Sequence, residues 1–295
     1  MNHISVMTKE VVEALSPKDG GFYIDGTFGG GGHSAAILDA ENCKLMACDR
    51  DPMVSSVADD FALRYPGRFE FRNAMFSSIP NLIHGDRLVD GIILDLGISS
   101  DQLEDGSRGF SFRIDAPLDM DMGLSVGRPL LGTINRAPVE YLSKCLKEYG
   151  DVHSHDDAAI AIDRYRKKQS ITRTSHLVEA LSEVSKSGRF MSCVFQALRR
   201  YQNKEPEELL AFLKNVGPMI KHGGSVVILS FQSQEAYAIK RVLKSHINKS
   251  IPFSPSGEWK ITKKTVSRDE IRKNKRSSSA CLWRAEMCVM SDHAL

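Results

Sequence analysis

Three aspartates carry the chemistry available to this chain. Asp25, Asp49 and Asp95 each close a short apolar run, at 22–24, 44–48 and 89–94. Glycines crowd behind the first, at Gly26 and from Gly29 to Gly32, and His33 and Ser34 follow. Glycine tolerates positive φ and lets a backbone approach a ligand closely. A helix starting near His33 would offer free N–H groups and the positive end of its dipole to a carboxylate or phosphate. Gly30-x-Gly32-x-x-Ala35 satisfies a dinucleotide-binding fingerprint, although a ligand-free glycine turn gives the same string. Asp49 stands at the usual distance from such a loop for a carboxylate that grips ribose hydroxyls, or it caps the helix that follows. Phe76 offers a flat ring for an adenine, or a core side chain. Beyond Asp95, the stretch Asp95-Leu-Gly-Ile-Ser-Ser-Asp-Gln102 gathers a carboxylate, carbonyls, hydroxyls and an amide. That set suits an amine being methylated, whereas hydride transfer more often uses a His or Tyr acid with Lys nearby. A nicotinamide dinucleotide and S-adenosylmethionine both fit the layout.

The elements needed to position these residues are legible. Residues 6–15 have helical spacing with Thr8 as a potential N-cap, and 16–21 form a turn cluster. Strands are expected at 22–25, 44–49, 68–72 and 89–95, with helices at 33–40 and after Pro52. Continuous apolar runs alternating with helices predict a parallel sheet covered on both faces. Ligands of such sheets bind at the carboxyl ends of the strands, where all three aspartates fall. Residues 96–133 read as a long irregular loop, and 136–201 as helices with no strand between them. Ser225–Leu229 is a further strand, 235–247 a helix, and 259–265 with 281–290 a closing hairpin. The expected architecture is one α/β domain, 1–108 and 202–295, interrupted by a helical domain at 109–201.

Composition narrows the class. The 295 residues are 42% hydrophobic with a formal net charge of +2, so partners must be read from where charge lies. Six cysteines form no C-x-x-C pair, which points to neither a zinc site nor a disulfide framework and suits a reducing compartment. No apolar run reaches roughly 18 residues, and no basic-then-apolar leader opens the chain, so a cytoplasmic protein is expected. His153-x-His155 with Asp156 and Asp157 imitates a metal site but lacks a distant third ligand, so no metal is expected. Basic clusters at Arg164, Arg166, Lys167 and Lys168, at Arg189, Arg199 and Arg200, and from Lys263 to Arg276 suit phosphate neutralisation or solvated faces equally.

Read together, the motifs carry a resemblance. Asp25-Gly-Thr-Phe-Gly-Gly-Gly-Gly-His33-Ser34, Asp49-Arg-Asp-Pro52, Asp90-Gly-Ile-Ile-Leu-Asp-Leu-Gly-Ile-Ser-Ser100, Gln102-Leu103, Arg108-Gly-Phe-Ser-Phe112 and Pro117-Leu-Asp-Met120 resemble, in order, the bacterial 16S rRNA cytosine-N4 methyltransferases of the RsmH (MraW) type. The resemblance implies a class I S-adenosylmethionine-dependent methyltransferase, a Rossmann-like doubly wound sheet with an inserted helical domain that recognises RNA. It implies cofactor contacts at Gly31, Gly32, His33, Asp49, Phe76, Asp95 and Gln102, and a catalytic set of Asp95, Ser99 and Ser100. Its partner would be 16S rRNA in the small ribosomal subunit, with no membrane and no metal, and a homodimer is allowed. A nucleotide-dependent oxidoreductase and a non-catalytic RNA- or ribosome-binding protein are the competing readings.

The second half departs from the pattern. Cys193 stands where the family carries an arginine, Gln232 where it carries a histidine, and Cys281-Leu-Trp283 where it carries Lys-Leu-Arg. The cofactor half keeps its motifs, while the RNA-facing half has lost basic and polar groups.

Overall fold

The computed structural model describes residues 5–83, 87–124, 130–247 and 259–288. The chain divides into two compact units. One runs up to Gly97 and resumes at Glu207, and the other is Ile98–Pro206.

The first unit opens with α1 (Thr8–Leu15), β1 (Phe22–Asp25), α2 (Gly32–Ala40) and β2 (Lys44–Asp49). It continues with α3 (Ser55–Arg64), β3 (Phe69–Asn73), α4 (Ile79–Leu82) and β4 (Val89–Asp95). Its sheet has seven strands in the order β3-β2-β1-β4-β5-β7-β6, where β5 is Ile220–Ser230, β6 Trp259–Thr265 and β7 Cys281–Met287. β1 to β5 pair in parallel, and β7 runs antiparallel between β5 and β6.

The apolar runs form central strands because both of their faces are covered. Ile24, Met46, Ile92, Leu94, Val226 and Ile228 point into one buried layer with Phe212 and Ile239. Tyr23, Leu45, Ala47, Ile93, Val227 and Leu229 point into the other, with Val11, Leu15, Ile37, Leu38 and Phe61. Alternation along each strand thus separates two apolar cores on the two faces of the sheet. Thr8 is not the N-cap expected of it. Met7 takes that place at φ 53°, and the Thr8 hydroxyl turns back to the Ser5 carbonyl at 2.8 Å.

The second unit is helical: α5 (Ser100–Glu104), α6 (Leu130–Arg136), α7 (Val139–Gly150), α8 (His155–Arg166), α9 (Thr174–Ser182) and α10 (Gly188–Asn203). Leu142, Leu146, Ile162, Leu177, Leu181, Val194 and Leu198 form its core. The stretch 96–133 is not wholly irregular, since α5 and the start of α6 lie in it. Its two distinctive motifs fold onto each other. The Met120 amide donates to the Arg108 carbonyl at 3.0 Å, and the Arg108 guanidinium donates to the Asp121 carbonyl at 2.7 Å. Buried Asn203 ties this loop to α10, donating to the Met120 and Arg199 carbonyls and accepting from the Met122 amide. α11 (Glu205–Asn215) follows. α12 (Ser233–Ile247) and α13 (Arg268–Lys273) complete the first unit.

Candidate functional site

The glycine loop joins three strand ends. Asp25, 1% exposed at the end of β1, accepts from the Thr27 amide at 3.0 Å and the Ser34 hydroxyl at 2.7 Å. These bonds fold the loop back across β1. The Gly29 amide donates to Asp49 Oδ2 at 2.8 Å, which ties the loop to β2. The Thr27 hydroxyl accepts from the Asp95 amide at 2.6 Å, which ties it to β4. His33, 5% exposed, places Nε2 3.4 Å from Asp95 Oδ2.

Two glycines explain the shape of the loop. Gly31 lies at φ 76°, and a Cβ there would come within 2.4 Å of the Phe61 ring, so both conformation and packing demand glycine. A Cβ on Gly30 would meet nothing within 4 Å, so the backbone there faces open space in front of the amino end of α2. That end has no side-chain cap, which leaves its first N–H groups to a ligand. Gly32 packs under the Ser5 hydroxyl.

Burial sets the electrostatics. It pushes the Asp49 carboxyl up to about 6, against the pull of the amides of Asp51 and Gly29. It pushes the Asp25 carboxyl up as well, opposed by the charge of His33. Asp49 Oδ1 accepts from the Asp51 amide at 2.9 Å, and Asp51 caps the turn at Pro52–Val54. Asp49 is therefore fixed on two sides before any ligand arrives. Phe76 follows β3, partly buried, with its ring edge-on to Phe212 and its Cβ beside Gly26 at the root of the loop.

Of the expected site residues, Gly31, Gly32, His33, Asp49 and Asp95 gather at the ends of β1, β2 and β4. In the second unit, Ser99 and Gln102 cap α5 reciprocally. The Gln102 amide donates to Ser99 Oγ, and the Ser99 amide to Gln102 Oε1, each at 3.1 Å. Ser100 opens that helix, and its side chain lies outside the described part of the structure.

Asp25, which the sequence placed at the first strand end without a ligand role, is the hub of the loop. One residue was not singled out by the sequence reading. Glu235, 5% exposed, accepts from the amides of Phe231 and Gln232 and holds the turn after β5. Its position in the first turn of α12 was the available clue.

Several basic residues prove structural. The Arg166 guanidinium donates to the Ile134 and Ala137 carbonyls and pairs with Asp163. Arg199 forms a two-pronged pair with Glu205 at 2.7 and 2.8 Å, and Arg200 donates to the Tyr149 carbonyl. His155 binds the Ser143 hydroxyl at 2.8 Å, in a clip between α7 and α8 that also engages Asp156. Among the described residues no group of three or more His, Cys, Asp or Glu could hold a metal ion, and no helix is long and apolar enough to cross a membrane.

Comparison with known proteins gives this geometry a context. A protein of Ehrlichia chaffeensis named ribosomal RNA small subunit methyltransferase H is 37% identical over 290 residues, which span 95% of this chain and 98% of that one. Proteins of the same name from a Wolbachia of Drosophila simulans and from Rickettsia conorii are 35% and 41% identical, over 96% and 85% of this chain and 98% and 82% of their own lengths. The sheet, parallel but for β7 and with its glycine loop after β1, is a Rossmann-like α/β fold. With residues 1–288 matching the family as a whole, the chain belongs to the MraW methylase family.

Proposed function

We propose that this protein transfers a methyl group from S-adenosylmethionine to the exocyclic N4 amine of a cytosine in the decoding centre of 16S rRNA, acting in the cytoplasm on the small ribosomal subunit. The observation that carries the reading is the convergence of Asp49, Asp95 and the uncapped start of α2 around the open backbone at Gly30. These groups fit the cofactor. The Gly31 amide is already spent on the Phe28 carbonyl at 2.8 Å, so the first N–H groups of α2, at Gly32 and His33, suit its carboxylate, Asp49 its ribose hydroxyls, and the Phe76 ring its adenine. When bound, it supplies an electrophilic methyl on a sulfonium centre.

The chain's own residues then decide which cytosine atom reacts. Attack at ring carbon 5 generally needs a cysteine thiolate to add to the base first. Cys48, beside Asp49, is buried, and its thiol is pushed up to about 12. Cys193 sits on α10, packed against the core of the helical unit. The N4 amine needs no covalent step. Its lone pair is delocalised into the ring, so the site must hold its N–H groups and turn the nitrogen towards the methyl, a task of positioning and acceptors. Asp95 is the acceptor; Ser99, Ser100 and Gln102, which the family resemblance adds to the catalytic and cofactor sets, belong to the second unit. The base must be unstacked to reach Asp95. The helical insertion, with the basic C-terminal stretch, holds the RNA.

Methyl transfer to small subunits lacking the mark, followed by mass spectrometry of the released nucleosides, tests this. N4-methylcytidine is expected, with Asp95→Ala inactive and Cys193→Ser largely active. Appearance of 5-methylcytidine, or a dispensable Asp95 beside an essential Cys193, overturns it.

A further inference from the structure

The two oxygens of Asp95 have different surroundings. Oδ2 faces His33 Nε2 at 3.4 Å, an ion-pair contact longer than a good hydrogen bond. Oδ1 is buried and, among the described residues, accepts no hydrogen bond. The backbone of the same residue is fixed by the Thr27 hydroxyl. A buried acceptor left unpaired is costly, and native structures keep few without a reason. The His33 ring is itself buried, with Nδ1 also unpaired among the described residues. The charged groups facing it are Asp95 from β4, Asp25 from β1 and Glu270 from α13. Burial disfavours the imidazolium, but these three carboxylates outweigh it, and the ring's pKa stands above its ordinary value.

We propose that His33 is a positioning residue whose ring holds Asp95 through Oδ2, so that Oδ1 is presented as the acceptor for one N–H of the amine that receives the methyl group. The inference rests on the amine reading above. With one N–H held on Oδ1, the nitrogen lone pair is turned out of conjugation and forms the N–C bond, while the electron pair of the broken sulfur–carbon bond returns to sulfur. The N–H proton, made acidic by the new bond, passes to Oδ1 and then to solvent. A weak base is enough, because an arylamine bearing a fourth substituent is a strong acid.

The test compares wild type, His33→Gln, His33→Ala and Asp95→Asn. Calorimetry gives cofactor affinity, single-turnover methylation of unmarked subunits at saturating cofactor gives the rate, and NMR follows the His33 ring. His33→Ala should lose about ten- to a hundredfold in single-turnover rate, the loss typical of one charge-assisted contact. Its cofactor affinity should stay within about threefold of wild type, a change worth less than 1 kcal/mol. His33→Gln should recover much of the rate, since its amide still donates to Oδ2. The His33 titration should move to lower pH in Asp95→Asn. Equal losses in the Gln and Ala variants would reduce the ring to a space-filler. Weaker cofactor binding with an unchanged saturated rate would assign it to the cofactor, and either result overturns the proposal. Wild-type protein that leaves N4 unmethylated would remove the amine reading itself, a different failure seen in the same nucleoside digest.

Discussion

Asp49 shows how one side chain couples burial, charge and ligand affinity. Its carboxyl, pushed up to about 6 by burial, binds a proton more readily in the folded chain than in the unfolded one, where the ordinary value is 3.8. The sign follows from linkage. Above pH 6 the carboxylate is a full cost to folding, and that cost is relieved as pH falls from about 6 to 4. Cofactor affinity moves the other way, because ribose hydroxyls need the ionised acceptor. S-adenosylmethionine binding should therefore weaken as pH drops through about 6, and calorimetry across pH 5–8 checks this. Asp49→Ala should remove the pH dependence and cost about 1.5–3 kcal/mol, or roughly ten- to over a hundredfold in affinity, in a folded protein. Unchanged affinity in a folded variant would take Asp49 out of the site.

Among the elements, legibility followed local physics. β1, β2 and β4 could be read within a residue of their ends because each is a continuous apolar run closed by an aspartate. α5 could not, because five residues held by a Ser99–Gln102 capping box leave almost no periodic signal. The roles of Arg166, Arg199 and Arg200 were illegible for a different reason, since a buried guanidinium and a phosphate-binding one have the same letter. Their partners, the carbonyls of Ile134, Ala137 and Tyr149 and the carboxylate of Glu205, are set only by tertiary packing. Asn203 is the sharpest case. It satisfies two carbonyls and an amide while 1% exposed, on a helix end that reads as unremarkable polar sequence. Asn203→Ala should leave the Met120 carbonyl and Met122 amide unpaired, at about 1–3 kcal/mol each. Faster limited proteolysis within 98–206 is the expected readout, and unchanged cleavage would show that water replaces the amide.

For the whole molecule, a net charge of +2 gives RNA no general attraction, so binding depends on the few basic groups left unengaged by the fold. Lys168 and Arg189 in the insertion, and Arg268 and Lys275 after β6, are exposed. Lys273 and Arg276, read from sequence with the same cluster, have side chains outside the described part of the structure. Changing those four exposed residues to Ala should flatten the slope of log affinity against log salt by up to about 3, at roughly 0.7–0.9 per phosphate contact. Cofactor affinity should not change. A slope that stays put would leave these charges to solubility alone.

The antiparallel seat of β7 also gives the chain a timetable. β5 offers its outer edge, and β6 its inner one, to a strand that the ribosome makes last among the seven. Between Thr265 and Cys281 both edges wait, for on the order of a second or more at 5–20 residues per second. Open edges invite pairing with other chains, and lysines are a common defence. β6 carries Lys260, Lys263 and Lys264, all exposed. A chain ended just before Cys281 should therefore aggregate where the longer chain stays in solution, and replacing those three lysines with threonine should make the full chain depend on slow synthesis or chaperones to reach the same yield.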